Sequence, residues 1–167
     1  MDCRGRLWLP RNDVIPVAMT FLDEYKKNKH MMLTTKGRYA VMALVDIAQN
    51  YKGKPIGLAE VAIRQNITLN YLEQIFTKLK PAGIVNSTRG PGGGYVLAEL
   101  PEKIKISQII DAVEEEIKIT RCTSADNGCI VKKAKCVTHD LWHGLGGTIR
   151  SYLDNISISD VISGDIK

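Results

Sequence analysis

Apolar and polar positions alternate with helical period over much of the chain. Between Lys36 and Asn50, the residues Val41, Leu44, Val45 and Ala48 recur at i, i+3, i+4 and i+7, which predicts a helix with a wide apolar face, ended by Tyr51 to Pro55. A short helix is predicted over Leu58 to Gln65, with Leu58, Val61 and Ala62 on one side. The link Gln65-Asn66-Ile67-Thr68 follows, and the Thr68 hydroxyl is suited to accept a backbone N–H at the start of a third helix. In that helix Leu72, Ile75, Phe76 and Leu79 form an inward stripe, which turns Asn70, Glu73, Gln74, Thr77 and Lys78 toward solvent or a partner. Pro81 closes it.

The period then changes. Ile84 to Thr88 and Gly94 to Leu97 read as two short strands joined through Arg89-Gly90-Pro91-Gly92-Gly93, a β-hairpin. Helix resumes near Ile106 to Glu116, with Ile109, Ile110 and Val113 toward a core, and a polar loop bearing cysteines runs to about Lys135. The last long helix is predicted from about Val137 to Asn155. Its Leu141, Leu145, Ile149, Tyr152 and Ile156 step by four, four, three and four, close to a coiled-coil seam. There is no internal repeat. The expected fold is mainly α with a small β-hairpin: a winged helix-turn-helix domain over 32–100, then, over 101–163, a ligand-binding loop (about 120–137) and a long C-terminal dimerisation helix. Residues 1–31 are expected to be an extension outside the fold, from an over-extended start or a genuine arm.

With 167 residues, 44% hydrophobic and 25% charged, the chain suits one ordinary core. The longest uncharged run is nine residues, as in Val14 to Leu22, too few to span a membrane, and this stretch contains Pro16, meets Asp23 and Glu24 and lacks a small-residue cleavage site. A cytoplasmic chain is therefore expected. The net charge is +5, and its distribution is informative. Residues 1–31 hold 6 basic and 4 acidic side chains, 32–98 hold 8 and 3, and 99–167 hold 9 and 11. The middle segment thus carries the footprint expected for a polyanion, although a scattered solvated surface gives the same count.

A helix pair with a tight turn, followed by a basic-tipped hairpin, points to DNA. The second helix of the pair would enter a major groove, where Glu73 suits a cytosine amino group and Gln74 or Asn70 an adenine edge; each taken singly also fits a plain exposed face. Arg89 beside its glycines is either an ordinary hairpin loop or a wing that reaches a narrowed minor groove. No Gly-Lys-Ser/Thr follows, so the glycines are not a phosphate-cradling P-loop.

Cys3 stands alone, whereas Cys122, Cys129 and Cys136 are spaced Cys-x6-Cys-x6-Cys and His139 follows three positions later. In a reducing compartment this set suggests a bound metal. Thiolates suit zinc, copper(I) or iron-sulfur clusters; the tight knuckles typical of structural zinc are missing, and wider gaps can wrap a bulkier cluster with imidazole in place of one thiolate. Arg121, Lys132, Lys133 and Lys135 would favour thiolates, and Asp126-Asn127-Gly128 supplies a turn. His143 competes with His139, and unligated thiols remain the plain alternative. A thiol oxidoreductase lacks its Cys-x2-Cys.

The stretches Leu33-Thr34-Thr35-Lys36-Gly37-Arg38-Tyr39-Ala40, Asn70 to Phe76, Arg89-Gly90-Pro91-Gly92-Gly93-Gly94-Tyr95 and Cys136-Val137-Thr138-His139-Asp140-Leu141-Trp142 together resemble the Rrf-two family of regulators, in its iron-sulfur branch, over about Met32 to Ile162. The resemblance implies a bacterial homodimeric transcription factor, not an enzyme, that binds a 2Fe-2S cluster. It would repress or activate genes for iron-sulfur cluster assembly and receive its cluster from the assembly machinery. It also implies that Cys122, Cys129, Cys136 and His139 are the ligands. Contacts to a double-stranded operator would fall on Thr68, Asn70, Glu73, Gln74 and Arg89, with Thr34, Lys36 and Tyr39 toward phosphates. In the family, the Glu73 position helps separate cluster-dependent from cluster-independent sites. Related regulators that sense nitric oxide or iron, and a zinc-stabilised DNA-binding module, are the alternatives. The chain departs from the family in three respects: each inter-cysteine gap is one residue longer, Gly144, Gly146 and Gly147 lie in the last long helix, and residues 1–31 have no counterpart. The glycines imply either a kink or the close approach of a partner backbone.

Overall fold

A computed structural model of the chain describes residues 35–113 and 136–166. In chain order the elements are α1 (Thr35–Asn50), α2 (Leu58–Gln65), α3 (Leu69–Leu79), β1 (Val85–Thr88), β2 (Gly94–Leu97), α4 (Ile106–Val113), α5 (His139–Asn155) and α6 (Ile158–Ser163). Helix α1 is the hub. It packs against α2, α3, β2, α4 and α6, while α4 in turn carries α5.

Helix α1 is built as its sequence predicts, but its buried stripe is rotated. Ala40, Ala43, Leu44 and Ile47 are fully buried, whereas Val41, Val45 and Ala48 lie at the edge of the core. The reason is that α1 is enclosed on several sides, and its small residues Ala40 and Ala43 permit close approach where larger side chains would hold neighbours away. Helix α2 spans the predicted Leu58–Gln65, and the turn after it is made by Asn66 in the left-handed region (φ 52°, ψ 46°), with Ile67 N–H donating to the Ala62 carbonyl at 3.0 Å. Thr68 is the N-cap of α3, but its side chain makes no capping hydrogen bond, contrary to the expectation. The inward stripe Leu72, Ile75, Phe76 and Leu79 is wholly buried, and Asn70, Glu73, Gln74 and Thr77 are exposed. Lys78 is exposed as well, and its Nζ reaches across to donate to the Val113 carbonyl of α4 at 3.2 Å.

Strands β1 and β2 pair antiparallel, with Val85 opposite Leu97 and Thr88 opposite Gly94. Pro91 and Gly92 form the turn between them, with Gly92 at φ 76° and the Gly93 N–H donating to the Gly90 carbonyl at 2.9 Å. A third segment joins the outer edge of β2. Ile56 exchanges two backbone hydrogen bonds with Tyr95, at 3.0 and 2.8 Å, which ties the hairpin to the start of α2.

Helix α5 begins at His139, two residues later than predicted, and continues unbroken through Gly144, Gly146 and Gly147. A Cβ at Gly144 or Gly147 would meet nothing within 4 Å, and the Thr148 hydroxyl donates to the Gly144 carbonyl at 3.1 Å. The expected seam divides along its length: Ile156 is buried in the core, while Leu141, Leu145 and Tyr152 are 63%, 42% and 49% exposed. Helix α6 has no counterpart in the sequence reading. Its signal was the capping box, in which Ser157 accepts from the Asp160 N–H at 3.2 Å and Asp160 accepts from the Ser157 N–H at 2.8 Å, with Gly164 at the end.

Candidate nucleic-acid interface and metal centre

The exposed residues of α3 form one face. Asn70, Glu73, Gln74 and Thr77 are spaced i, i+3, i+4 and i+7, opposite the buried stripe, and Asn70 is the second residue of the helix. The Thr77 hydroxyl turns back onto the Gln74 carbonyl at 2.7 Å, which leaves Asn70, Glu73 and Gln74 as the outward polar groups of the first two turns. Side chains of this kind near a helix N-terminus are what a major groove can accept.

The wing is bound to this helix rather than hanging free. The Phe76 and Tyr95 rings meet edge to face, with centroids 4.7 Å apart and an interplanar angle of 65°. Arg89 lies exposed at the tip, just beyond Thr88 of β1. The close approach of Gly94 to Ile56 makes this packing possible, because any Cβ at Gly94 would overlap the Ile56 carbonyl.

Thr35, Tyr39, Asn66, Ile67, Thr68 and Tyr71 line a cleft where α1 and α3 both begin. Tyr39 meets Tyr71 edge to face at 5.7 Å. Tyr39, an expected phosphate contact, and Thr68, an expected operator contact, are thus brought together, and partly buried Lys36 lies in the same first turn of α1; Thr34 lies outside the described residues. Tyr71 and exposed Arg38 were not singled out by the sequence reading. Tyr71 stood between the inward stripe and the polar face, where periodicity assigns no role.

Between α1 and the end of α2 sits an ion pair that sequence reasoning missed, its carboxylate buried and its guanidinium exposed. Asp46 is 2% exposed, in the middle of the α1 stripe. Arg64 Nε lies 3.0 Å from both carboxylate oxygens, its Nη2 lies 2.6 Å from Oδ1, and Gln65 Nε2 donates to Oδ2 at 2.8 Å. A charged residue inside an otherwise apolar stripe was the available signal, since buried charges require partners. Burial works to raise the Asp46 carboxyl, but hydrogen bonds from Arg64 and Gln65 and the Arg64 charge outweigh it and hold the carboxyl below the usual aspartate value of 3.8. A group depressed in the folded state contributes stability that is complete above its ordinary value and is lost as pH falls toward the folded one. Wild-type protein should therefore lose stability between about pH 5 and pH 3 more steeply than Asp46→Asn, in denaturant titrations across that range. Parallel curves would show that Asp46 contributes nothing to acid sensitivity.

Two of the four candidate ligands are described. Cys136 is exposed, with its Sγ 3.5 Å from Thr138 Oγ1, and its carbonyl accepts the His139 N–H at 3.0 Å. His139 is 3% exposed, the one buried residue of α5, and its Nδ1 is buried with no hydrogen-bond partner among the described residues. An imidazole nitrogen held away from water without a partner is costly unless something else coordinates it, and a neighbouring thiol donor is the right companion for a soft metal or cluster. The residues present therefore fit such a group. His143 is exposed and stacks on His139 at 6.1 Å, with an interplanar angle of 16°. Cys122 and Cys129 lie outside the described residues, as does Cys3.

Comparison with known proteins decides the family. The profile of Rrf2, described as an iron-dependent transcriptional regulator, matches residues 33–164. The chain belongs to the Rrf2 family. Among its Rrf2 relatives, a regulator named IscR from Aliivibrio salmonicida is 46% identical over 132 residues, covering 79% of this chain and 77% of that one. The IscR of an Escherichia coli strain is 43% identical over 133 residues, 80% of this chain and 81% of the other. Of the solved structures, T. potens IscR matches with a TM-score of 0.65 at 32% identity, over 81% of this chain and 88% of that one. The Bacillus subtilis global cysteine regulator CymR matches at 0.67 and 28%, over 80% and 97%. As an Rrf2 protein of this kind, the chain is a DNA-binding transcription regulator with the winged-helix fold that its sequence predicts. Among the described residues, no helix is long and apolar enough to cross a membrane.

Proposed function

We propose that the chain is a homodimeric, cytoplasmic regulator that reads operator DNA with α3 and Arg89, and that a 2Fe-2S cluster held by Cys122, Cys129, Cys136 and His139 adjusts this reading. Residues 32–100 are the DNA-binding unit, 101–163 hold the cluster and the dimer contact, and 1–31 stand outside the fold. The observation that carries the cluster is the buried Nδ1 of His139, without a hydrogen-bond partner among the described residues, three positions after Cys136. When bound, the cluster supplies an oxidisable inorganic group whose presence reports on iron-sulfur supply. Control of the assembly genes, with the assembly machinery as cluster donor, follows from the resemblance to the iron-sulfur branch of the family.

The uncovered part of the α5 seam supports the dimer. Leu141, Leu145 and Tyr152 lie along one stripe with Trp142 beside them, and an apolar stripe of this length on a helix is normally closed by a partner. Twofold symmetry then calls for a pseudo-palindromic operator with half-sites roughly 34 Å apart. Cluster and operator reinforce each other to the extent that the cluster binds the DNA-competent state better.

Protein purified without oxygen should be coloured, absorb in the visible and contain iron and acid-labile sulfide in equal amounts, whereas His139→Ala should lose most of both. Colourless material that refuses iron and sulfide on reconstitution, or that holds stoichiometric zinc, would overturn the sensor. On the DNA side, Glu73→Ala should change which bases are preferred at one position of each half-site, by about 1–3 kcal/mol, in competition binding against single-base operator variants. Unchanged selectivity would remove Glu73 from the reading set.

A further inference from the structure

The buried Asp46 cluster lies directly behind the turn that launches α3. Arg64 and Gln65, the last two residues of α2, bind both oxygens of one carboxylate on α1, and only Asn66, Ile67 and Thr68 separate them from the first residue of α3. The guanidinium is braced from its other side by Glu60 at 3.5 Å, and the Asp46 carbonyl receives Asn50 Nδ2 at 2.8 Å. Asn66 in the left-handed region and the Ile67–Ala62 backbone bond make the intervening turn stiff, so a rotation of the end of α2 passes into the first turn of α3.

We propose that Asp46 is a positioning residue for operator recognition, fixing the end of α2 so that Asn70, Glu73 and Gln74 meet base edges at one angle. This rests on the reading that α3 enters the major groove. The physical argument is one of direction. Apolar burial holds α1 to α2 but is non-directional, so it tolerates small rotations and slides. Base readout by paired hydrogen bonds does not tolerate them, because functional constellations must be held within about 0.5 Å and 10–20°. A forked guanidinium on a carboxylate adds geometry that packing alone lacks. Taking a carboxylate out of water, as Asp46 is here, costs much of what its pairing with Arg64 returns, and the better-attested use of such pairs is to specify one arrangement. A carboxylate here is a costly choice for holding two helices together and a suitable one for setting their angle.

The test uses the full chain, purified anaerobically, and an operator selected by the wild-type protein from random duplexes. The double variant D46V/R64M stays close to the original volume and removes the directional bonds. It should retain its thermal midpoint within a few degrees and its affinity for scrambled DNA, while its operator-to-scrambled affinity ratio falls at least tenfold. Arg64→Lys, which keeps the charge but loses the fork, should lower the ratio by a smaller, measurable factor, and it decides the matter if the double variant does not fold. Glu73→Ala is run beside them. If Glu73→Ala lowers the ratio and the folded clamp variants do not, positioning by Asp46 is wrong although α3 reads DNA. If Glu73→Ala also leaves the ratio unchanged, the groove-reading helix itself is wrong and the clamp proposal falls with it.

Discussion

Phe76→Ala is expected to lower stability by about 3–5 kcal/mol, enough to drop the thermal midpoint by roughly 10–20 °C. Phe76 is fully buried, lies among the largest side chains of the core and bears on Tyr95 of the wing. Its removal costs the transfer of a whole ring from water and leaves a cavity, because the backbone at the α3–β2 junction is held by the strand pairing and by the Tyr95–Ile56 bonds and cannot collapse inward. Phe76→Leu keeps most of the volume and should cost much less. Urea titrations of the three proteins measure this directly. A loss below about 1 kcal/mol for the alanine variant would mean that the ring is not packed as described.

Gly94→Ala is the second large effect. The added methyl would overlap the Ile56 carbonyl and crowd the Gly57 nitrogen, and both are backbone atoms, so no side chain can turn aside. Either the two hydrogen bonds between Ile56 and Tyr95 break or the wing slides along α2. The expected cost is about 2–3 kcal/mol in stability. A displaced wing also moves Arg89, so operator affinity should fall further than stability alone accounts for when both are measured at a temperature where the variant is folded. An unchanged affinity in a folded Gly94→Ala protein would separate Arg89 from DNA binding.

The DNA-reading half was unusually legible because its signals are local. Helix α3 announces itself through a stripe at 72, 75, 76 and 79, and the hairpin through a change of period around a Pro-Gly turn. Helix α1 was found but its inner face was misplaced, since the larger Val41 and Val45 weigh more in a periodicity reading than Ala40 and Ala43, which the tertiary structure buries deepest. Lys78 was read from its place on a polar face, yet the carbonyl it reaches is 35 residues away, a partner no local pattern contains. The Ile56 edge of the wing was missed for a related reason: a single bridging residue has no period.

The ligand half divides differently. Cysteine spacing and a trailing histidine are chemical signatures, visible wherever the chain goes. That His139 is buried while Cys136 and His143 are exposed is set by the tertiary structure, in which α5 packs on α4 with Arg150 paired to Asp111 at 2.7 Å across them.

From its residues alone, then, the chain determined the order of its elements through α5, its winged-helix class, its family and the chemistry of its candidate ligands, because periodicity, turn residues and thiol spacing act over a few positions. Only the tertiary structure decided which carboxylate is buried, which carbonyl Lys78 reaches, and how the wing and α3 are joined. These depend on distances between segments remote in sequence, where burial turns an ordinary charge into one that must find a partner.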